Sequence, residues 1–516
     1  EFELAWWQTA LEVLLERTPQ FFEFNAESID QLEDAYCVAD REVIQNGAQE
    51  IASRLAERWN IAISGFADQT GAFREMLKTR RATVAEAHRI APDVWAAIAP
   101  VILASPYEVP TAIPPEIRFD VVIALDAAGS SVAENLAGLS RATQVIAFGD
   151  DAIAAPTGFD IECRSVTLEP SILAPSLFQE MRRLFGVESL TQSYRTGGQV
   201  LGEFISREFY QNRLRFLPTS DEYFGKTHVR VETVSENNRA SSTIEGANES
   251  LEAEVSRVVQ LVLDHATYQP EQSLLVASAS QIHADRIAAA VEKTLEDKPQ
   301  IAEFFDSHGR EKFEITSLAD LSHRVADHII FSVGFGRTPH GAVLSSFGQL
   351  SSSEGKRYLT NLLVSARKSV TLVSCFEPND LPSDRLSNGA QYLKDLLLAA
   401  TESHLETELV EADPLLQDLA LRLKKLGIMI SAKYAPKIAL AASFGATVAA
   451  IEPDWVLSRG SWREKIRLRR ELLSAMGWQR VRVHAFELFS NPQDVAHRIA
   501  EQLGLEIFKQ PQVLFE

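Results

Sequence analysis

The sequence predicts an α/β protein with parallel sheets, preceded by a large helical region and followed by a smaller α/β unit. Three observations predict it. From Trp6 to about Ile102 the apolar spacing is helical, with Leu11, Val13, Leu14 and Leu15 first and Ile51, Leu55, Trp59 and Ile63 later. From 228 to 376 short apolar runs alternate with helical patterns, as a doubly wound sheet requires. Beyond a polar stretch at 401–411, a third set of helices and strands begins.

In order, a Pro-rich connector at Pro110 to Pro115 leads into Phe119 to Leu125, which reads as a buried parallel-sheet strand. A second such strand is Gln144 to Phe148, ending in Gly149-Asp150. The doubly wound stretch then predicts strands at 228–234, 273–277, 329–333 and 369–375, with helices at 250–265 and 284–295 between them. The last unit predicts a helix at 414–426, strands at 428–432, 438–442 and 447–451, a helix at 462–475, a strand at 480–484 and a final helix. There are no internal repeats.

With 516 residues and 46% hydrophobic content, about three domains can each bury a core. Cys37, Cys163 and Cys375 are widely separated, so neither a disulfide framework nor a paired zinc motif is indicated, and a reducing cytoplasm is the predicted compartment. Glu1-Phe2-Glu3-Leu4 carries acid where a secretory signal needs positive charge, and no apolar run is long enough for a membrane span. The chain begins without Met and directly in helical pattern, which reads as a piece of a longer protein. A formal charge of -21 opposes non-specific attraction to DNA, so any nucleic-acid contact must be local. The densest basic stretch is Arg459, Arg463, Lys465, Arg467, Arg469 and Arg470, which a solvated helix face would also explain.

Four segments in order carry a resemblance: Gln192-Ser193-Tyr194-Arg195-Thr196, then Glu208 to Leu214, then Ile330 to Gly336, then Phe347-Gly348-Gln349-Leu350 leading into Leu359 to Ser374. Together they resemble bacterial superfamily I DNA helicase-related proteins that end in a Vsr-like restriction-endonuclease-fold domain. The resemblance implies two RecA-like, P-loop NTPase-type domains. Residues 1–110 would be the helical region of the first and 111–180 its remainder; 181–400 would be the second, 401–411 a linker and 412–516 the restriction-endonuclease-like unit.

In such helicases ATP lies between the two RecA-like domains, and hydrolysis needs a phosphate-binding loop, a Mg²⁺-holding Asp, a Glu and arginines from the second domain. The loop motif G-x-x-x-x-G-K-[ST] is missing; Gly225-Lys226-Thr227 matches it only in part and follows no strand. Where the family's first-domain strand ends in D-E-A-S, this sequence reads Leu125-Asp126-Ala127-Ala128. Asp126 stands at the Glu position in one register and the Asp position in the other, and either way the pair is broken. Gly149-Asp150 resembles the opening of the next motif, and Ile153 occupies the position of its γ-phosphate-sensing Gln. Tyr194-Arg195 retains an arginine that reaches the γ-phosphate in the family; with its partners gone, an ion pair within the second domain is expected for it. A Q-G-D-E-type motif aligns with Ser322-His323-Arg324-Val325, and the arginine-finger position falls on Ser365, followed by Ala366-Arg367. Asp126, Arg195 and Arg367 are therefore the vestigial catalytic positions, with Gly149, Asp150 and Tyr194 on the nucleotide side.

At the C-terminus, Arg467 to Arg470 through Ala475-Met476-Gly477-Trp478, then Val481 to His484 through Asn491-Pro492, carry the nuclease likeness. The family's metal-holding Asp falls on Ala439, while Glu452 and Asp454 persist as vestigial positions that would face solvent at a strand end. Arg463, Lys465, Arg467, Arg469 and Arg470 are the candidate DNA contacts. His323, His328 and His484 have no evident partner in the sequence.

No metal is expected, nor a cofactor. The resemblance implies a helicase-like protein that does not hydrolyse ATP and serves as a binding or scaffold component in DNA recombination, repair or defence, with a protein partner, DNA through the basic helix and no membrane. Two readings stay open: an active ATP- and Mg²⁺-dependent helicase or nuclease completed by an N-terminal part, and a protein-interaction module that leaves DNA alone.

Overall fold

The computed structural model describes residues 2–17, 25–80, 82–156, 175–195, 197–234, 250–296, 298–306, 311, 313–321, 324–336, 343, 345–401, 413–431, 434, 437–455 and 460–506. Cys163, Ser322, His323 and nearly all of the expected linker lie outside them. The chain forms two compact units, one of residues 1–40 with 191–516 and the other of residues 41–190. The long helix Ala26–Gly65 contributes residues 26–40 to one and 41–65 to the other.

In the 41–190 unit, Phe73, Met76, Ala87, Ala91 and Val94 pack together from three short helices. Thr83 caps one of these, its hydroxyl accepting from the Glu86 amide at 3.2 Å. Strands β1 (Phe119–Ala124) and β2 (Ala142–Ala147) pair in parallel. They were expected to be buried on both faces; instead Val121, Ile123 and Phe148 are exposed, because no further described layer covers that face of the pair. The apolar stripe of Ile51, Leu55 and Trp59 is likewise exposed.

The larger unit holds a five-stranded, all-parallel sheet in the order β3-β7-β6-β4-β5. The strands are β3 (Val229–Thr233), β4 (Leu274–Ser278), β5 (Glu314–Ser317), β6 (Ala326–Ser332) and β7 (Ala366–Ser374). Every residue of β4 is buried, as expected for a central strand covered on both faces. One face packs on helices Gly198–Tyr210, Gly355–Ser365 and Gly389–Thr401 through Phe204, Leu359, Leu362 and Leu393; the other packs on Glu252–Tyr268 and Gln281–Leu295 through Val258, Val262 and Ile287. Gly355 and Gly389 let two helices touch through backbone, since a Cβ on Gly389 would stand 2.3 Å from the Gly355 carbonyl oxygen.

A separate mixed sheet follows, in the order β11-β10-β9-β8: β8 (Met429–Ser431), β9 (Leu440–Phe444), β10 (Thr447–Pro453) and β11 (Gln479–Val483). Only β10 and β11 are parallel. Among the described residues no helix is long and apolar enough to cross a membrane.

Candidate functional site

A doubly wound sheet binds ligands at the carboxyl ends of strands where the connections diverge, here between β4 and β6. That crevice is filled by protein. Ser332 at the end of β6 donates to Glu254 (2.8 Å), whose carboxylate also accepts the Gly334 amide (2.8 Å). His283 binds Ser332 through Nε2 and Ser250 through Nδ1, each at 2.8 Å. Burial pushes Glu254 up to about 7 and His283 down to about 4.

Arg195 and Arg367 lie at the opposite, amino-terminal edge. Arg367 opens β7 and is held by Glu311 and, at 3.0 Å, by Asp327, the residue that nearly opens β6. Arg195 stands near enough to feel both Arg367 and Glu311; burial first, then Arg367, lowers its pKa. Arg195 and Arg367 therefore lie near each other, and the carboxylates that neutralise Arg367, Glu311 and Asp327, carried no signal in the sequence. Ser365, expected at the arginine-finger position, is buried in the last turn of its helix. Lys226 pairs with Asp221 at 2.6 Å in an exposed turn.

In the other unit, Asp126 is exposed just after β1 in the left-handed region, φ 53°, which Asp tolerates better than most residues. Gly149 follows β2, where a Cβ would meet Phe178 at 2.8 Å and the Ala128 amide at 2.9 Å. Asp150 closes a turn by accepting the Ala152 amide at 2.9 Å. Gly149 and Asp150 thus have local structural work to do.

The C-terminal sheet departs most from expectation. Glu452 and Asp454 were expected to face solvent. Glu452 instead sits in β10, its side chain 12% exposed, between Arg469 (2.7 Å) and Arg480 (3.1 Å). Asp454 accepts from His484 Nδ1 at 3.0 Å and from the Ala485 amide at 3.2 Å. His484, expected to lack a partner, is nearly buried with Asp30 3.8 Å from its other nitrogen; burial opposes its charge, but Asp30 and Asp454 outweigh that and raise its pKa. His328 also has partners, Ser369 and Gln272, both at 2.6 Å.

The basic helix is only in part a solvated face: Arg463 and Arg470 are exposed, Arg467 is buried, and all three are paired. It opens as a π-helical turn, Arg463–Leu468, before the α-helix Arg469–Ala475. The first half of the long N-terminal helix lies against it. Asp30, Glu33, Asp34 and Asp40 recur at intervals that share one helix face. Asp40 takes Arg463 (2.6 Å) and Arg467 (2.5 Å), Asp34 takes Arg470, and Glu33 takes Arg480 and Arg482 (both 3.2 Å). The helical spacing of these acids is visible in the sequence, but their partners lie more than 400 positions away.

Beside this network, within the same unit, a cavity of about 710 Å³ opens between the segment around Tyr194 and the face of β10 that carries Glu452. Ala439, Lys437, Lys465 and Arg469 line it together with Arg207 and Arg215. Sequence reasoning put Tyr194 and Ala439 in separate sites; the fold brings both to this cavity. Among the described residues no three His, Cys, Asp or Glu side chains are grouped as a metal site would need.

No protein-family model matches this chain, and no curated protein matches it. Among solved structures it is similar to the C-terminal domain of a possible DNA helicase from Lactobacillus plantarum WCFS1, at 12% identity and a TM-score of 0.21, over 42% of this chain and 96% of that one.

Proposed function

We propose that this chain is a helicase-like protein, of RecA-like and restriction-endonuclease-like parts, that binds without hydrolysing and serves as a scaffold component in DNA recombination, repair or defence. The observation that carries this reading is the occupancy of its reactive side chains by one another. Glu452 is neutralised by two guanidinium groups, and opposite it stands Ala439 where a second carboxylate would be needed to hold a catalytic cation. Arg367 is likewise taken by Glu311 and Asp327. An arginine that stabilises a transferring phosphoryl group must be free to meet developing charge, and its loss costs about 10³ to 10⁵ in rate.

The test is phosphate release from ATP with Mg²⁺, with and without single- and double-stranded DNA, alongside nicking of supercoiled plasmid in Mg²⁺ or Mn²⁺. No activity above buffer is expected from the full chain. Turnover abolished by Arg195→Ala or Arg367→Ala overturns the proposal.

A second reading, a protein-binding module indifferent to DNA, is favoured by one observation: Arg463, Arg467 and Arg470 are already paired with Asp34 and Asp40. A salt-dependent DNA titration with those three arginines neutralised separates the two, because only a DNA-binding chain loses salt slope.

A further inference from the structure

The cavity beside β10 has a charge pattern that the non-hydrolysing reading does not use. Six cations line it against three carboxylates. Two of the acids are already spent, Glu203 on Lys437 (2.6 Å) and Glu452 on Arg469 (2.7 Å) and Arg480 (3.1 Å). The third, Glu464, is capped by the amide of Ser461 at 2.7 Å. Among the described residues Lys465 has no carboxylate partner within ion-pair distance, only the ring of Trp462 at 5.9 Å, and the Arg215 guanidinium makes one hydrogen bond, to the Thr191 hydroxyl at 3.0 Å.

A buried group gives the second, independent observation. Arg482 lines the cavity with its side chain only 8% exposed. One of its nitrogens reaches Glu33 at 3.2 Å, while Nε and Nη1 are sealed from solvent with no hydrogen-bond partner among the described residues. Buried guanidinium N–H groups are costly to leave unmet, and their planar fork fits the oxygens of a phosphate. Ala439, where a carboxylate would make the site attract cations, leaves the field positive. Tyr194, 57% exposed and lining the same cavity, offers a ring on which a base can stack. The volume suits a single nucleotide.

We propose that this cavity binds the phosphate of a nucleotide, with Arg482, Lys465 and Arg215 as its anion-binding cations and Tyr194 as the platform for the base. The nucleotide is either free or the end of a nucleic-acid strand; only the strand arm rests on the DNA reading above.

Titration calorimetry of the full chain at physiological salt tests it with three probes: inorganic phosphate, 5′-dAMP and a short single strand of DNA carrying a 5′-phosphate. Saturable binding of dAMP is expected, weakened about tenfold or more by the double variant Lys465→Gln/Arg215→Gln. Neither position has an ion pair among the described residues, so that variant keeps the fold even if Arg482→Gln, which removes one of the two arginines on Glu33, does not. Tyr194→Ala is expected to weaken dAMP while leaving inorganic phosphate unchanged; unchanged dAMP affinity overturns the platform. Binding of dAMP without the strand assigns a free nucleotide and removes the DNA reading. Strand binding with the same dependence on Lys465 and Arg215 assigns a strand end. The proposal is overturned if dAMP and the strand both fail to bind, or if both bind equally well to the double variant; in the latter case DNA binding stands and lies elsewhere.

Discussion

Glu254 and His283 are both wholly buried, one carrying a carboxyl group and the other an imidazole, joined through the Ser332 hydroxyl. Their titrations pull stability in opposite directions. Glu254 is raised from 4.5 to about 7, so the fold prefers it protonated; that contribution is complete below about pH 4.5 and is lost as pH rises through 7. His283 is lowered from 6.5 to about 4, so its contribution is complete above 6.5 and is lost as pH falls through 4. Glu254→Gln keeps an acceptor for the Gly334 amide and removes the charge. Thermal denaturation is expected to show the variant gaining on the parent at pH 8, on the order of 2 kcal/mol, and gaining nothing near pH 4.5. Equal gains at both values would mean that Glu254 does not ionise in this range. Neither residue stood out in the sequence, because a lone Glu at the start of a helix and a lone His at the start of another are ordinary until the fold brings them together.

Among the elements, strands bounded by apolar runs were legible to within about three residues, β4 and β7 among them, since burial on both faces leaves a continuous apolar signature. The short β5, Glu-Ile-Thr-Ser, was not, because an edge strand of four residues carries too little pattern. The π-helical turn at Arg463–Leu468 was also invisible: its sequence has ordinary helical periodicity. Turn 217–223 shows how the C-terminal sheet is attached to the segment before β3. Trp478 opens the approach to β11, donates its indole N–H to the Pro218 carbonyl at 2.8 Å and packs edge-on against Tyr223 and Tyr434. Trp478→Ala is expected to cost about 3–5 kcal/mol, read as a lowered denaturant midpoint with loss of near-ultraviolet dichroism. A change within experimental error would show that this attachment carries no stability.

For the molecule as a whole, a net charge of -21 conceals a strongly cationic surface on the C-terminal sheet and its helix. Asp30, Glu33, Asp34 and Asp40 neutralise it from within the same unit. Asp40 is held below the usual carboxylate range, first by Arg463 and then by Arg467. Neutralising Asp34→Asn and Asp40→Asn together is therefore expected to delay elution from heparin at low salt, and the delay should vanish as salt screens the freed arginines. Unchanged retention would show that these arginines find other partners. By itself the sequence determined the α/β class and the positions of most buried strands, because those are properties of neighbouring residues and their period. Only the tertiary structure decided that Arg463, Arg467 and Arg470 are paired with the helix Ala26–Gly65, that Glu452 is buried between guanidinium groups, and that Tyr194 and Ala439 share one cavity. Charge pairing across more than 400 residues depends on which surfaces the cores bring together, and no local pattern encodes that choice.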